Sequence, residues 1–256
     1  MPRRFPIKIF DSLPSTNDSI LEAGAGDAPE GTTHIARTQT RGRGRGDHTW
    51  WSPKGAGLWM STLLRPPRAR AQWGGISIVA GAAVRRALTS LGVRGVDLYW
   101  PNDLKIGRRK LGGILGEVRS RGEGAWVALG IGINTDLRSN GAGAAMPAEL
   151  RGLPICLTEA GPPSTIDPLE IAIAILHAFW PLYEKFGQGA SIPELVGDGL
   201  AHRGRSVEVR VPGVEPWRGI VEGLAADGEL LVRAATAAGS PVRVVTGGEV
   251  IYDEAS

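Results

Sequence analysis

Hydrophobic positions along the chain keep two rhythms. Ile76, Val79, Ala80, Ala83, Val84, Ala87, Leu88 and Leu91 recur with the 3.6-residue period of a helix, which predicts an amphipathic helix over 74–91 closed by Gly92. Leu169, Ile173, Leu176, Phe179, Trp180, Tyr183 and Phe186 repeat the pattern and predict a second long helix over 167–186 with these side chains turned inward. Elsewhere short apolar runs bounded by turn residues predict strands at 5–10, 32–36, 58–64, 96–100, 110–118 and 126–133. The last two read as a pair joined through 119–124. Ser15 or Thr16 caps a short helix through Ala23, ended by Gly24. Residues 138–165 read mostly as loop.

After Gly204 the helical rhythm stops. Segments 207–211, 217–224, 229–234 and 242–245 alternate with turn signals such as Asp227-Gly228, so four or five short strands form a small barrel. The expected organisation is α+β: a mixed sheet packed with helices over 1–203 and a β domain over 204–256. Composition agrees with a globular chain of 256 residues, 42% apolar and 21% charged, and 37 glycines and 18 prolines predict many turns. One cysteine, Cys156, excludes an internal disulfide and a multi-cysteine zinc site. No apolar run is long enough for a transmembrane helix, and the first strand is too short and too soon charged for a signal peptide, so a cytoplasmic protein without a membrane partner is expected. A net charge of +3 neither requires nor excludes nucleic acid, so the placement of the arginines matters more.

Three segments carry chemistry. Gly42-Arg43-Gly44-Arg45-Gly46, followed by His48 and Trp50, combines bare peptide N–H groups with planar guanidinium forks. That pairing suits a carboxylate or phosphate, although an RNA-binding tract and a solvated loop stay open. Tyr99-Trp100-Pro101-Asn102-Asp103, then Lys110-Leu111-Gly112-Gly113, brings a carboxylate and an amine together across a turn and marks a close backbone approach at the paired glycines. A plain hairpin with a surface ion pair is its alternative. Gly130-Ile131-Gly132-Ile133-Asn134 is a glycine-bearing strand ending in an amide, and a tightly packed central strand explains it equally. Neither the dinucleotide fingerprint nor the P-loop is present. His34, His48, His177 and His202 have no metal-ligand spacing.

In this order the motifs resemble those of the biotin protein ligases. That family carries S-T-N after its first strand, then Q-x-x-G-R-G-R…W, K-W-P-N-D, K-x-G-G-I-L and G-x-G-I-N. This chain shows Ser15-Thr16-Asn17, Gln39 with the arginine/glycine block and Trp50, Trp100-Pro101-Asn102-Asp103, Lys110-Leu111-Gly112-Gly113-Ile114-Leu115 and Gly130-Ile131-Gly132-Ile133-Asn134. The resemblance is dense over 5–135 and looser beyond. It implies a catalytic domain of the class II synthetase or biotin–lipoate ligase type, followed by an SH3-like barrel. Few residues precede the first strand, so the class without a DNA-binding domain is expected.

The implied reaction activates biotin with ATP as biotinyl-5′-AMP and passes it to a lysine of a biotin carboxyl carrier protein. Arg43, Arg45 and Lys110 are then the catalytic candidates. Ser15, Thr16, Asn17, Gln39, Arg43, Gly44, Arg45, Tyr99 and Gly113 match the biotin side. Arg45, Trp50, Asn102, Asp103, Lys110 and Asn134 match the nucleotide side, and Asp103 is the candidate ligand for Mg²⁺. A sheet edge is a candidate homodimer contact. Two positions depart from the pattern: Tyr99 stands where the family usually has lysine, and Asp47-His48 stands where many members have glycine and a basic residue. A phenol brings no full positive charge at neutral pH. Either Lys110 or Lys105 substitutes in part, or adenylation is slower, or the chain has left ligase activity for simple binding. A lipoate or octanoate ligase on the related fold is the other enzymatic reading.

Overall fold

The computed structural model describes residues 5–122, 124–138, 141–161, 166–201, 203–235 and 240–253. Seven strands form one sheet: β1 (Ile7–Phe10), β2 (Thr33–Ala36), β3 (Gly57–Leu64), β4 (Val96–Tyr99), β5 (Asp103–Ile106), β6 (Arg109–Arg121) and β7 (Gly124–Asn134). Their spatial order is β1-β2-β3-β7-β6-β5-β4. β1 and β2 run parallel, and every other neighbouring pair is antiparallel. The helices are α1 (Thr16–Ala25), α2 (Ile76–Ser90), the single turns α3 (Ala142–Ala145) and α4 (Leu157–Ala160), the long α5 (Pro168–Gly187) and the short α6 (Ile192–Val196).

Alternation along the central strands assigns the two faces of the sheet. Leu58, Met60 and Leu64 of β3 and Val127, Leu129, Ile131 and Ile133 of β7 join the core built by α2 and α5. The intervening β7 positions run Trp126, Ala128, Gly130, Gly132, Asn134 on the opposite face. There α1 covers only the first part, where Ile20 and Leu21 meet Leu63, Trp126 and Ala128. Beyond that cluster the face carries the glycines of β7.

The second sheet is antiparallel, in the order β11-β10-β9-β8-β12, from β8 (Ser206–Arg210), β9 (Trp217–Leu224), β10 (Leu230–Ala234), β11 (Val242–Val245) and β12 (Glu249–Tyr252). It is the small β unit expected from the alternation after Gly204. Its buried Val207, Val209, Val221, Leu230, Val232 and Val245 belong to the same apolar cluster as α2 and α5. The Trp100 indole N–H donates to the Gly228 carbonyl at 2.9 Å, and the Ile192 amide donates to Ala226 at 2.8 Å.

Three local expectations are corrected. α1 does not stop at Gly24 but continues to Ala25, because the bare Gly24 backbone leaves room for the Trp126 indole, whose N–H donates to the Leu21 carbonyl at 3.1 Å. The Pro101-Asn102 turn opens into a separate strand, β5, which pairs with both β4 and β6. It is only four residues long, follows directly on the turn signal, and carries a register shift at Leu104/Lys105. Ile173 is 41% exposed, and the buried face of α5 instead includes Ile171, Ala172 and Ile175. As expected, the 138–165 stretch is mostly loop among its described residues, with the single turns α3 and α4; 139–140 and 162–165 lie outside the described residues. His202 also lies outside them.

Candidate functional site

A cavity of about 1370 Å³ opens over the glycine-bearing face. Its floor is β3, β6 and β7. Its walls are the start of α1, the 43–51 loop, the Trp100–Lys110 region, Leu153-Pro154, and residues 210–216 and 248–250 of the C-terminal sheet.

The arginine/glycine segment is a small hairpin. The Trp50 amide donates to the Gly42 carbonyl at 2.9 Å and the Gly44 amide to the His48 carbonyl at 2.7 Å, leaving Asp47-His48 near the tip. Gly46 supports the turn with a φ of +58°. The Trp50 ring lies on the floor. A Cβ at Gly132 would meet its indole at 2.8 Å and one at Gly113 would meet it at 3.1 Å. A Cβ at Gly130 would collide with the Asn17 carboxamide. The glycines of two strands thus make a bed for one indole and one amide, and the close approach expected at Gly112-Gly113 is twofold. A Cβ at Gly112 would meet the Gly132 carbonyl at 2.6 Å, and Gly113 faces the ring.

At one end the lining is neutral and polar. The Thr16 amide and hydroxyl both donate to Gln39 Oε1, at 2.8 and 3.1 Å, and Gln39 Nε2 donates to Ser52 Oγ at 2.8 Å. Ser61 Oγ contacts Thr16 Oγ1 at 2.7 Å and Asn17 Oδ1 at 2.5 Å. Asn17 Nδ2 donates to Glu117 Oε2 at 2.6 Å and to the Leu115 carbonyl at 3.2 Å. Ser15 is buried at the N-terminus of α1, and no side-chain hydrogen bond is formed by its hydroxyl among the described residues. Satisfied on the protein side, Thr16, Asn17, Gln39 and Ser61 hold fixed orientations.

The lining also carries cations. Arg43 Nη2 lies 2.8 Å from Asp18 Oδ1 and 2.7 Å from Glu117 Oε2, so this guanidinium is held by two carboxylates. Lys110 Nζ lies 2.6 Å from Asp103 Oδ1 and 5.2 Å from the Trp50 ring centroid. Arg210 Nη2 pairs with Glu208 at 2.7 Å. Arg45 and Lys105 line the same cavity without an ion pair among the described residues. The Lys105 ammonium sits 4.5 Å from the Tyr99 ring centroid. Burial holds it below the usual lysine range, and so does Lys110, while Asp103 acts the other way.

The structure brings Ser15, Thr16, Asn17, Gln39, Arg43, Gly44, Arg45, Gly113, Trp50, Asn102, Asp103, Lys110 and Asn134 to one cavity. Tyr99 is the exception: it is not among the residues that line the cavity. Its ring is buried between β4 and β12, edge-on to Tyr252 at 5.0 Å, and its hydroxyl donates to the Gly107 carbonyl at 3.0 Å. Burial pushes the Tyr99 phenol up. Two expected contacts spend their amide donors on the protein. Asn102 Nδ2 binds the Ile114 carbonyl at 2.9 Å, and Asn134 Nδ2 binds the Lys110 and Ile155 carbonyls, each at 3.2 Å. Sequence reading missed Asp18, Ser52, Ser61 and Glu117. None belongs to a recognisable motif, and Asp18 and Glu117 meet Arg43 only because α1 and β6 converge. Among the described residues no group of three metal-binding side chains exists, so Asp103 offers one carboxylate, already paired. No helix among them is long and apolar enough to cross a membrane.

The sequence model of the biotin/lipoate A/B protein ligase family matches residues 9–134. The biotin--[acetyl-CoA-carboxylase] ligase of Paracoccus denitrificans is 32% identical over 209 residues, 78% of this chain and 82% of that protein. The bifunctional ligase/repressor BirA of Bacillus subtilis is 33% identical over 177 residues, 69% of this chain and 53% of that one. The chain spans about half the length of the bifunctional relatives it matches. Among solved structures, the biotin protein ligase from Aquifex aeolicus in complex with biotin and ATP shares the fold. Its TM-score is 0.79 at 24% identity, covering 97% of this chain and 99% of that one.

Proposed function

Because this chain belongs to the biotin/lipoate A/B protein ligase family, we propose that it activates biotin with ATP and transfers it to a lysine of a biotin carboxyl carrier protein. The observation that carries this reading is the make-up of the cavity: oriented neutral groups, an apolar indole on the floor, and two cations, Arg45 and Lys105, with no carboxylate partner among the described residues. Such a space suits a ligand with an uncharged hydrogen-bonding head and an acid at the end of an apolar chain. Ser15, Thr16, Asn17 and Gln39 would take the ureido head. Arg45 and the lysines would take the acid and the phosphates.

In the first step a carboxylate oxygen attacks the α-phosphorus, the bond to the β-phosphate breaks, and pyrophosphate leaves. Two anions must meet, so fixed positive charge lowers the barrier. Lys110, held beside Asp103, and Arg45 line the same cavity and would supply that charge. In the second step a carrier lysine amine attacks the acyl carbon, the carbon–oxygen bond to phosphate breaks, AMP leaves, and the amine loses a proton. Trp50 on its glycine bed and the 42–50 hairpin would keep water from the mixed anhydride. Mg²⁺ would neutralise phosphate charge. Asp103 supplies one carboxylate for it, which suits an ion held chiefly by the nucleotide and water rather than by a protein cage. Residues 1–203 would carry the adenylation, and 204–256, whose 210–216 and 248–250 segments wall the cavity, would meet the carrier.

The test is release of pyrophosphate on mixing the chain with ATP and biotin, lipoate or octanoate in turn, followed by transfer of label to a carrier domain. Biotin-dependent release and transfer is the expected result. Release with lipoate or octanoate instead would move the substrate. Binding of biotin with no release would make the chain a binder.

A further inference from the structure

Strands β5 and β6 set Lys105 directly opposite Lys110, and both side chains line the cavity. Two like charges facing each other on one side of a sheet disfavour that arrangement unless something anionic offsets them. The protein offsets one of them, because Asp103 Oδ1 is 2.6 Å from Lys110 Nζ. Lys105 receives an aromatic face instead, Tyr99, at 4.5 Å. Tyr99 in turn is held by its hydroxyl on the Gly107 carbonyl and by the edge of Tyr252. A ring face attracts an ammonium without neutralising it, so Lys105 is offset only by the longer-range field of Asp103, with no ion pair of its own among the described residues. Of the lysine and arginine side chains on this lining, Arg43, Lys110 and Arg210 have carboxylate partners. Arg45 and Lys105 have none among the described residues.

We propose that Lys105 is a catalytic residue that contacts an oxyanion of the reacting substrates, and that Tyr99 is its positioning residue. The proposal rests on the adenylating reading for the reaction but not for the binding of an anion. It makes Tyr99 the seat of the charge. The aromatic residue belongs there because a long, flexible ammonium from the next strand needs a surface to lie on, and the C-terminal strand β12 braces that surface.

The full-length chain is compared with K105Q, K105R, Y99L and Y99F by two measurements. One is the Kd for ATP alone and for biotin alone, by calorimetry. The other is biotin-dependent exchange of pyrophosphate into ATP. K105Q is expected to lower exchange roughly 100-fold, the scale seen when one preorganised donor is removed, and K105R to recover most of it. Weaker ATP binding in K105Q places the contact on a phosphate, and weaker biotin binding places it on the carboxylate. Y99L is expected to lower kcat about tenfold with KM little changed, and Y99F to restore it, because the ring face and not the hydroxyl seats the ammonium. K105Q within twofold of wild type in both measurements overturns the proposal while leaving the ligase reading intact. A wild-type chain that binds ATP in a Lys105-dependent way but exchanges no pyrophosphate overturns the ligase reading and keeps the anion contact. Y99L indistinguishable from wild type removes Tyr99 from the positioning role.

Discussion

Arg43 and Arg45 stand two residues apart on one hairpin and keep different company. Arg43 is bound by Asp18 from α1 and Glu117 from β6, and Glu117 also takes the Asn17 amide, so this arginine ties the loop to the polar end of the cavity. Arg45 has no carboxylate partner among the described residues. Replacing Arg45 by alanine should therefore slow adenylation by about 100-fold, near 3 kcal/mol of transition-state stabilisation. Replacing Arg43 should act mainly by loosening the hairpin and raise KM more than it lowers kcat. Steady-state kinetics of the two variants separate these roles, and equal losses in kcat would return both to direct contact. The motif alone made the two arginines equivalent, because alternation with glycine says what the loop can do and not which carboxylates will converge on it. Asp18 and Glu117 are ordinary acidic residues in sequence, and only the packing of α1 over β6 and β7 brings them to Arg43.

At the scale of single elements, α1 shows where local rules fail. Glycine inside a helix usually costs about 1 kcal/mol against alanine, and so Gly24 read as a helix end. Tertiary packing overrides that preference, since Trp126 occupies the space a methyl group would fill. Gly24→Ala should accordingly destabilise by roughly 1–3 kcal/mol, the range for overpacking. A fall in the denaturant midpoint would show it, and a rise would mean that the indole yields freely. On β2, His34 is buried beside Phe10, with Ser19 Oγ 2.8 Å from its Nδ1. Burial, with a smaller contribution from Lys8, lowers its affinity for a proton below the ordinary 6.5. The unfolded chain then binds more protons in mild acid. Stability from this group is fully present above about pH 6.5 and is lost as pH falls below it. Melting curves from pH 7.5 to 5 should show that loss, and His34→Gln should flatten it. Long helices and the paired β6 and β7 were legible because their period persists over many residues. The four-residue β5 was not, because two polar–apolar steps next to the Pro101-Asn102 turn signal are too short to establish a period.

For the molecule as a whole, the boundary near 200–204 separates two sheets but not two cores. Buried valines of the C-terminal sheet share one apolar cluster with α2 and α5, and Trp100 hydrogen-bonds across to Gly228. A single cooperative transition in calorimetry is the expected outcome, and a chain ending at 203 should lose that transition along with carrier transfer. Two resolved transitions, or a truncated chain that still melts sharply and adenylates normally, would make the C-terminal sheet an appendage. The change from helical to strand period marked where the second sheet begins, but not that its segments 210–216 and 248–250 wall the cavity.

Trp50 lies half-buried on Gly113 and Gly132 with its ring N–H enclosed and unpaired among the described residues. An indole in such surroundings emits according to whatever lies against it. Occupation of the space above the bare strands will therefore change the protein's intrinsic fluorescence. The difference between the native chain and Trp50→Phe, titrated with each small molecule alone, supplies an optical record of filling that needs no turnover at all.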